Sequence, residues 1–393
     1  MGGSGAGRQG LIALRAARLL ALLLGMGLAA CAAGSVSAQD VVRSERASFR
    51  VRDFATGLEH PWGAAFLPDG RLLVTERPGR LRIIGRDGGV SAPLAGVPEV
   101  VVQRQAGLLD VALAPDFEQT RQIYLCQAAS VPDGTLTRLV TARLSADATR
   151  LEGLTTLLDA TPAQSSGWNH YGCRIAFGRD GKLYLSTGDR YSDKMRSQEL
   201  DDLAGKVLRL ERDGRPAEGN PFLGREGARA EIFTYGHRNP QGLAVNPATG
   251  SLIEIEFGAR GGDEVNLLRR GANYGWPLVS YGRDYNGSAI GTGQASAPGI
   301  EEPLRHWTPA VSPSGGNFYT GAAFPGWRGN LFLAALSPPG LVRLTMDGDR
   351  VVGEERLLWG QTRFRHVLPG PDGFLYILTD EARGRVLRLE LTP

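Results

Sequence analysis

The sequence contains little cysteine, few aromatic residues and no excess of either charge. Three cysteines occur among 393 residues, aromatic side chains make up 7%, and 44 basic side chains face 41 acidic ones. A formal charge of +3 is too balanced to indicate a nucleic-acid surface or a polyanionic partner. The hydrophobic fraction of 42% is enough for a large core, which excludes a disordered or coiled-coil chain. Function must therefore reside in a site.

Long apolar runs are absent beyond the N-terminal region, so we expect no integral membrane span. Residues 1–38 are typical of an export signal, in which arginines precede an apolar run from Leu19 to Ala30. Two processing sites compete. The small residues that end at Ala38 are typical of a signal-peptidase cleavage site. The residues before Cys31 instead resemble a lipobox, which would give a signal of 1–30 and a lipidated Cys31. The sequence therefore predicts a periplasmic or secreted protein, or an outer-membrane lipoprotein held by a lipid anchor.

Export implies an oxidising compartment, in which the two remaining cysteines, Cys126 and Cys173, are able to pair. The alternative is that they are two small buried hydrophobic residues on neighbouring strands. A redox or metal role is disfavoured, because the sequence has no CxxC motif and no Cys/His ligand spacing.

Glycine and proline are abundant, at 54 and 23 residues, which indicates many tight turns between short strands. One unit recurs six times: an apolar strand, a turn built from Pro, Asp or Gly, and a second apolar strand. The copies are 63–77, 109–126, 174–188, 242–257, 321–336 and 365–380. Such units stack around a channel, so the sequence predicts an all-β, six-bladed β-propeller spanning 45–393 as one domain. We expect residues 48–55 to complete the last blade with the C-terminal strand 385–391.

Loops at one end of a propeller channel converge, so polar residues beside the repeat strands are site candidates. His170 precedes the third repeat and suits a general base, because histidine is neutral near pH 7; a structural histidine is the alternative. Arg238, with Asn239 and Gln241, offers a cation and amide donors for a carboxylate or quinone oxygen, or bonds to loop carbonyls.

Two further groups of residues suit ions. Asp263 and Glu264 follow a glycine-rich turn and offer oxygen ligands to a hard cation such as Ca²⁺, or form only an acidic turn. Arg363 and Arg365 alternate around Phe364, so they point to one side of a strand and suit an anion at the channel mouth, or are solvated.

Four stretches, taken together, resemble the soluble pyrroloquinoline-quinone (PQQ)-dependent aldose (glucose) dehydrogenases. They are 105–118, 170–190, 235–243 and 261–283, and the similarity extends from about residue 57 to the C-terminus. The resemblance implies that His170 is the base that takes the C1 hydroxyl proton as hydride passes to the quinone. It also implies that Arg238 stabilises the negative charge that develops on the quinone oxygen.

The same resemblance implies further ligands and partners. PQQ would be held by Gln105, His170, Arg238, Asn239, Gln241, Tyr285, Arg363 and Arg365. One Ca²⁺ would bind the backbone carbonyls of Gly258 and Ala259, and a second, structural Ca²⁺ would bind Glu264 and the backbone of Tyr274. The implied partners are a small aldose and an unidentified electron acceptor, and the protein would be a monomer or homodimer.

The chain departs from the family pattern at two positions. Phe257 stands where the family has a histidine, and Ser337 stands where many members have a lysine that reaches the cofactor. Loss of that lysine removes a charge-assisted contact of about 1.5–3 kcal/mol. A calcium-dependent lactonase-type propeller and a non-catalytic binding propeller therefore remain alternatives to the dehydrogenase. The arginine pair with Gln105 favours the quinone.

Overall fold

The computed structural model of the protein describes residues 41–392; the predicted export signal and Cys31 lie outside them. Nearly every regular element is a strand. In chain order the strands are β1 (Val42–Arg43), β2 (Ser48–Leu58), β3 (Pro61–Phe66), β4 (Leu72–Glu76), β5 (Arg80–Ile84), β6 (Leu108–Leu113), β7 (Gln122–Val131), β8 (Gly134–Leu144), β9 (Leu151–Asp159), β10 (Ile175–Phe177), β11 (Leu183–Thr187), β12 (Lys206–Leu210), β13 (Ile232–Tyr235), β14 (Pro240–Val245), β15 (Leu252–Glu256), β16 (Asp263–Leu267), β17 (Arg305–Trp307), β18 (Pro313–Phe318), β19 (Leu331–Leu336), β20 (Pro339–Asp347), β21 (Arg350–Leu357), β22 (Phe364–Pro369), β23 (Leu375–Thr379) and β24 (Gly384–Leu391). The helical elements are α1 (Phe117–Thr120) and two 3₁₀ turns, Lys194–Ser197 and Pro325–Trp327.

The strands form six antiparallel sheets, which confirms the predicted six-bladed β-propeller. Four sheets contain four strands in chain order: β6 to β9, β10 to β13, β14 to β17, and β18 to β21. The innermost strands β3, β6, β10, β14, β18 and β22 contact one another in succession around the channel. In five of the six repeats the first predicted strand overlaps the innermost strand of a blade, namely β3, β6, β10, β14 or β22. The prediction is wrong for the repeat 321–336, because residues 321–324 form no strand and the innermost strand of that blade, β18, precedes the repeat.

The ring closes as the alternation of residues 48–55 predicts. Strand β2 pairs with β24 from Phe49 opposite Leu391 to Leu58 opposite Gly384, with two register shifts. The last sheet therefore has the order β1-β2-β24-β23-β22 and contains both ends of the described chain. Because β2 and β24 pair without a covalent link, closure depends on this ladder.

The blade nearest the N-terminus differs from the expected four-stranded unit, because β3, β4 and β5 are its three named strands. The segment after β5 still follows its edge, where Ser91 and Leu94 donate backbone N–H groups to Ile83 and Leu81. Proline at position 93 has no N–H to donate, and a second proline follows at 98. A regular fourth ladder therefore does not form.

Cys126 and Cys173 form a disulfide that joins two adjacent blades. Cys126 lies on β7, and Cys173 lies two residues before β10. Both are fully buried in a hydrophobic cluster shared by these blades. Of the two alternatives that the sequence leaves open, the structure contains the disulfide.

A buried ion pair lies where the innermost strands meet. The Arg174 guanidinium donates to Asp110 Oδ1 at 2.9 Å and to the Gln241 carbonyl at 2.9 Å, and it lies 4.2 Å from the Trp62 ring centre. Both charged side chains are almost completely buried. This contact holds the channel ends of three blades together beneath the loops that carry the candidate site. Among residues 41–392, no helix is long and apolar enough to cross a membrane.

Candidate active site

His170 lies in the loop before β10 and is held by two contacts. Its Nδ1 is 2.7 Å from Asp189 Oδ1, and its backbone N–H donates to Gln105 Oε1 at 2.8 Å. The backbone is left-handed, with φ of 52°, a conformation that a non-glycine residue keeps only where its surroundings enforce it. The side chain is buried, so the ring has one fixed orientation.

The charge state of this pair follows from its surroundings. Burial, and then the nearby Arg238 guanidinium, lower the pKa of His170 below its ordinary value, against the opposing effect of Asp189. Burial acts to raise the pKa of Asp189, but His170, Arg238 and the backbone N–H of Tyr191 together lower it. Asp189 is therefore a carboxylate that accepts from Nδ1–H of a neutral imidazole. The lone pair is left on Nε2, the nitrogen that a general base needs.

Asp189 was not selected from the sequence, although it lies within the stretch 170–190 that carries the resemblance. Besides His170, its carboxylate accepts from the Trp276 indole N–H at 2.7 Å and the Tyr191 N–H at 2.7 Å. It is fully buried directly after strand β11. In the sequence, the feature that could have identified Asp189 is its position as an acidic residue just after the second strand of a repeat.

Arg238 lies close to this pair, against aromatic rings. Its guanidinium is 5.2 Å from the Trp276 ring centre, and Nη2 donates to Tyr285 Oη at 3.2 Å. Nη1 donates to the carbonyls of Phe257, at 3.3 Å, and Gly258. The buried Nε has no partner among the described residues. The arginine thus keeps a donor available in a site that largely excludes water.

Glu256, a second residue that was not selected from the sequence, fixes the loop that carries Arg238. One carboxylate oxygen of Glu256 accepts from the backbone N–H groups of Arg238, at 2.7 Å, and of Asn239, at 3.3 Å. Asn239 in turn accepts from the Gly172 N–H at 3.1 Å. Asn239 therefore lies beside the loop that carries His170.

The other predicted cofactor ligands meet across the channel. Arg365 Nη1 donates to Gln241 Oε1 at 2.8 Å, and its buried Nε has no partner among residues 41–392. Arg363 and Arg365 do point to one side, as expected, and both bind Asp380, at 2.8 Å and 3.0 Å. Burial acts to raise the pKa of Asp380, but the two arginines hold it well below its ordinary value. The clamp formed by Arg363 and Arg365 therefore already binds one anion, the Asp380 carboxylate.

The proposed cofactor-side Ca²⁺ ligands lie in the loop between β15 and β16. Asp263 Oδ1 accepts from the Gly258 N–H at 2.8 Å, and its other oxygen accepts from two backbone amides, of Val311 and Ser312, at 2.7 Å each. With three amides bound, Asp263 holds the loop in place. The Gly258 carbonyl is engaged by Arg238, and Ala259 follows on the cavity side.

Glu264 and Tyr274 border a different cluster. Buried His237, Glu254 and Glu256 place one ligand atom each within 4.8 Å of one another. Asn266 Nδ2 donates to Glu254, at 3.0 Å, and Glu264, at 3.2 Å. The Tyr274 ring stacks on the His237 ring at 4.7 Å.

The charges in this cluster repel each other. Burial, and then the neighbouring Glu256, raise the pKa of both Glu254 and Glu264 well above the ordinary value. Glu254 Oε1 and Asn266 Oδ1 are buried acceptors without a partner among the described residues. Buried oxygen atoms that receive no hydrogen bond are suitable ligands for a hard cation. His237, Glu254 and Asn266 were not selected from the sequence.

The two departures lie on the rim of the site. The Ser337 side chain is exposed, and its carbonyl accepts from Ser312 Oγ at 3.2 Å. Phe257 is half-buried and contributes its carbonyl to Arg238. Neither residue adds a charged side chain to the site.

Comparison with known proteins agrees with this geometry. The sequence model of the Glucose / Sorbosone dehydrogenase family matches residues 58–388. The chain belongs to this family. The resemblance inferred from the sequence is thereby confirmed. The Aldose sugar dehydrogenase YliI of Escherichia coli is 42% identical over 84% of this chain and 90% of its own.

Two solved structures of family members extend the comparison. A crystal structure of a glucose dehydrogenase superposes with a TM-score of 0.84 at 46% identity, covering 87% of this chain and 99% of the other. The PQQ-bound form of the Aldose Sugar Dehydrogenase from Streptomyces coelicolor superposes with a TM-score of 0.73 at 31% identity, covering 87% and 98%. A member of similar fold thus binds PQQ.

Proposed function

We propose that this protein is a quinoprotein that oxidises the C1 hydroxyl of aldoses to lactones and passes the electrons to an external acceptor. The observation that carries the proposal is the His170–Asp189 pair beside Arg238, whose buried Nε has no partner within residues 41–392. A fixed base next to a desolvated cation suits removal of a proton from an alcohol while negative charge forms nearby.

Asp189, His170 and Arg238 have separate roles in this reaction. Asp189 holds the His170 ring and its tautomer, so that Nε2 takes the hydroxyl proton while the positive charge that forms on the ring is stabilised by the carboxylate. The quinone, when bound, supplies the acceptor for the hydride that leaves C1. Arg238 stabilises the negative charge that develops on the acceptor oxygen. Burial of both residues strengthens these interactions, because water does not screen them.

PQQ fits the cationic and amide groups around the channel. Arg363, Arg365, Gln241 and Asn239, with Gln105 and Tyr285 at the rim, would hold the cofactor's carboxylates and ring. The unpartnered Nε of Arg365 is a donor that such a carboxylate satisfies. Asp380 competes for the same arginines, so it lowers the affinity of the clamp for a second anion.

Two Ca²⁺ sites complete the proposal. The carbonyls of Gly258 and Ala259 would bind one ion at the cofactor, which requires the Gly258 carbonyl to give up its contact with Arg238. Glu264 and the Tyr274 backbone would bind the second, next to the unpartnered acceptors of Glu254 and Asn266. A divalent ion there would relieve the repulsion among Glu254, Glu256 and Glu264.

We propose a periplasmic or secreted location, with anchoring through Cys31 as an alternative. The Cys126–Cys173 disulfide supports it, because disulfides persist in oxidising compartments. The electron acceptor would then be a molecule present in that compartment.

Reconstitution of the apo-protein with PQQ and Ca²⁺, followed by glucose and a dye acceptor, tests the proposed function. We expect stoichiometric quinone binding, sugar-dependent change of its absorbance, and dye turnover with lactone as product. His170→Ala should bind quinone and lose turnover. Absence of quinone binding at high excess would overturn the dehydrogenase and leave the lactonase or binding propeller, which lactone hydrolysis assays separate.

A further inference from the structure

A cavity of about 1040 Å³ includes part of the proposed active site, because Ala259 and Tyr285, both assigned to the cofactor and its ion, line it. Tyr285, which contacts Arg238, forms part of its wall. The remaining wall comes from three segments, 259–261, 280–295 and 308–312, and from Ser337. Its volume is at the upper end of the range for small-molecule sites, which is enough for a sugar next to the cofactor.

Two arginines on this wall face each other across a short antiparallel bridge. The Arg260 N–H donates to the Arg283 carbonyl at 2.9 Å, and the Arg283 N–H donates to the Arg260 carbonyl at 3.2 Å. Residues that are directly opposed in this way project their side chains to the same face. Like charges so placed repel and destabilise the pairing. The fold therefore places two cations together without an obvious structural benefit.

Nothing in the described chain neutralises this pair. Both side chains are exposed, and neither guanidinium forms a hydrogen bond or an ion pair with another residue in the range 41–392. The cavity lining contains these two charged side chains and no acidic one. Asp284, the residue after Arg283, is bound to Lys194, and Glu302 accepts a hydrogen bond from Tyr281. Some exposed arginines, such as Arg305 with Glu354, have acidic partners, and others, such as Arg328, have none in the part of the chain that the structure describes. Arg260 and Arg283 differ from these because they lie directly opposite each other on a cavity wall.

We propose that this cavity is a subsite for the carboxylate of an acidic saccharide. The reducing end of the sugar reaches His170, and the carboxylate of a uronic acid unit binds the paired guanidiniums of Arg260 and Arg283. Guanidinium groups match carboxylates with two parallel hydrogen bonds, and the anion removes the repulsion between them. The substrate class is thus aldoses that carry a uronate. This inference rests on the proposed function.

The cofactor's own carboxylates are a second source of the same chemistry. They are assigned to Arg363 and Arg365 on and beside β22, whereas Arg260 and Arg283 belong to loops that flank β16. The two pairs lie in different blades, so each is available to a different anion. Measurement of quinone affinity in the arginine variants separates the two sources.

The first experiment measures binding without turnover. Isothermal titration of the apo-protein with 4-O-β-glucuronosyl-glucose, against cellobiose as its neutral analogue, should show tighter binding of the acidic disaccharide, and this preference should fall as NaCl is raised. Arg283→Glu should remove the preference, and Arg260→Ser should reduce it about ten- to a hundredfold. Arg328→Glu, outside the cavity lining, makes the same charge change as Arg283→Glu and should leave the preference intact.

The second experiment uses the reconstituted enzyme. The ratio of kcat/KM for the acidic disaccharide to that for cellobiose should fall in Arg283→Glu and Arg260→Ser, while the dissociation constant of PQQ stays the same. Equal binding of acidic and neutral disaccharides to the unaltered protein would overturn the proposal, and so would a loss of PQQ affinity in place of the lost preference. Preferential binding of the acidic disaccharide to a protein that oxidises no sugar would support the subsite and contradict the proposed function.

Discussion

Asp189 Oδ1 lies 2.7 Å from His170 Nδ1, and both side chains are buried. The carboxylate also binds the indole of Trp276 and the backbone of Tyr191. It therefore fixes the imidazole from the side opposite Nε2. In physical terms the pair resembles other base–carboxylate pairs, in which the acid orients the ring and stabilises its positive form.

Asp189→Asn should lower kcat about a hundredfold or more, because the neutral amide no longer selects the tautomer with a free Nε2. Asp189 raises the pKa of His170, so its removal should lower that pKa further. Turnover is lost as pH falls through the pKa of the base. The acid limb of kcat/KM, which we expect below pH 6.5 in the unaltered enzyme, should therefore move to still lower pH.

A pH–rate profile with glucose, together with a quinone titration, checks this prediction. Asp193→Asn is the matched control, because Asp193 is an exposed carboxylate a few residues along the same loop. An Asp189→Asn enzyme whose kcat equals that of the control would remove the pair from the mechanism.

Asp380→Asn should make the protein depend more on its cofactor. Asp380 is the shared anion of Arg363 and Arg365, so its neutralisation leaves two cations without a counter-charge. The cofactor-free protein should lose stability, and the carboxylates of PQQ should replace the missing charge. The rise in Tm on addition of PQQ should thus be larger than in the unaltered protein. Calorimetry of both proteins with and without PQQ makes the comparison; an equal or smaller rise would mean that Asp380 positions the arginines for the cofactor.

A structural feature could be predicted from the sequence where the residues that form it are close together in the chain. The repeated strand–turn–strand unit is local, so the blades and the ring closure could be predicted. The contacts of the site are not local: Arg365 and Gln241 are 124 residues apart, and Arg174 and Ser314 are 140 apart. His170 could be selected by its place before a repeat. Its partner Asp189 could not be assigned that role, because only the folded blade brings the end of β11 to the loop before β10.

Glu254→Gln should test the second proposed ion site. Glu254 carries a buried oxygen without a partner within residues 41–392 and sits beside Glu256 and Glu264. In the absence of ions, the change removes repulsion and should raise Tm or leave it unchanged. With Ca²⁺ the unaltered protein should gain stability, and the variant should gain less. Glu264→Gln should behave in the same way.

Thermal unfolding in chelator and in millimolar Ca²⁺ provides the measurement for both glutamate variants. Glu118→Gln, on the surface helix α1, controls for loss of one carboxylate. Identical Tm values with chelator and with Ca²⁺ in the unaltered protein would contradict the structural ion.

Arg174→Met should destabilise the propeller by about 3–5 kcal/mol, because it leaves the Asp110 carboxylate buried without its cation. Burial already raises the pKa of Asp110, against the effect of Arg174. The double variant Arg174→Met with Asp110→Leu removes both charges and should recover part of the loss. Arg71→Met breaks a partly exposed pair with Asp69 and should cost at most about 1 kcal/mol. Urea unfolding of the four proteins gives the free energies; if Arg174→Met costs no more than Arg71→Met, the channel pair does not hold the blades together.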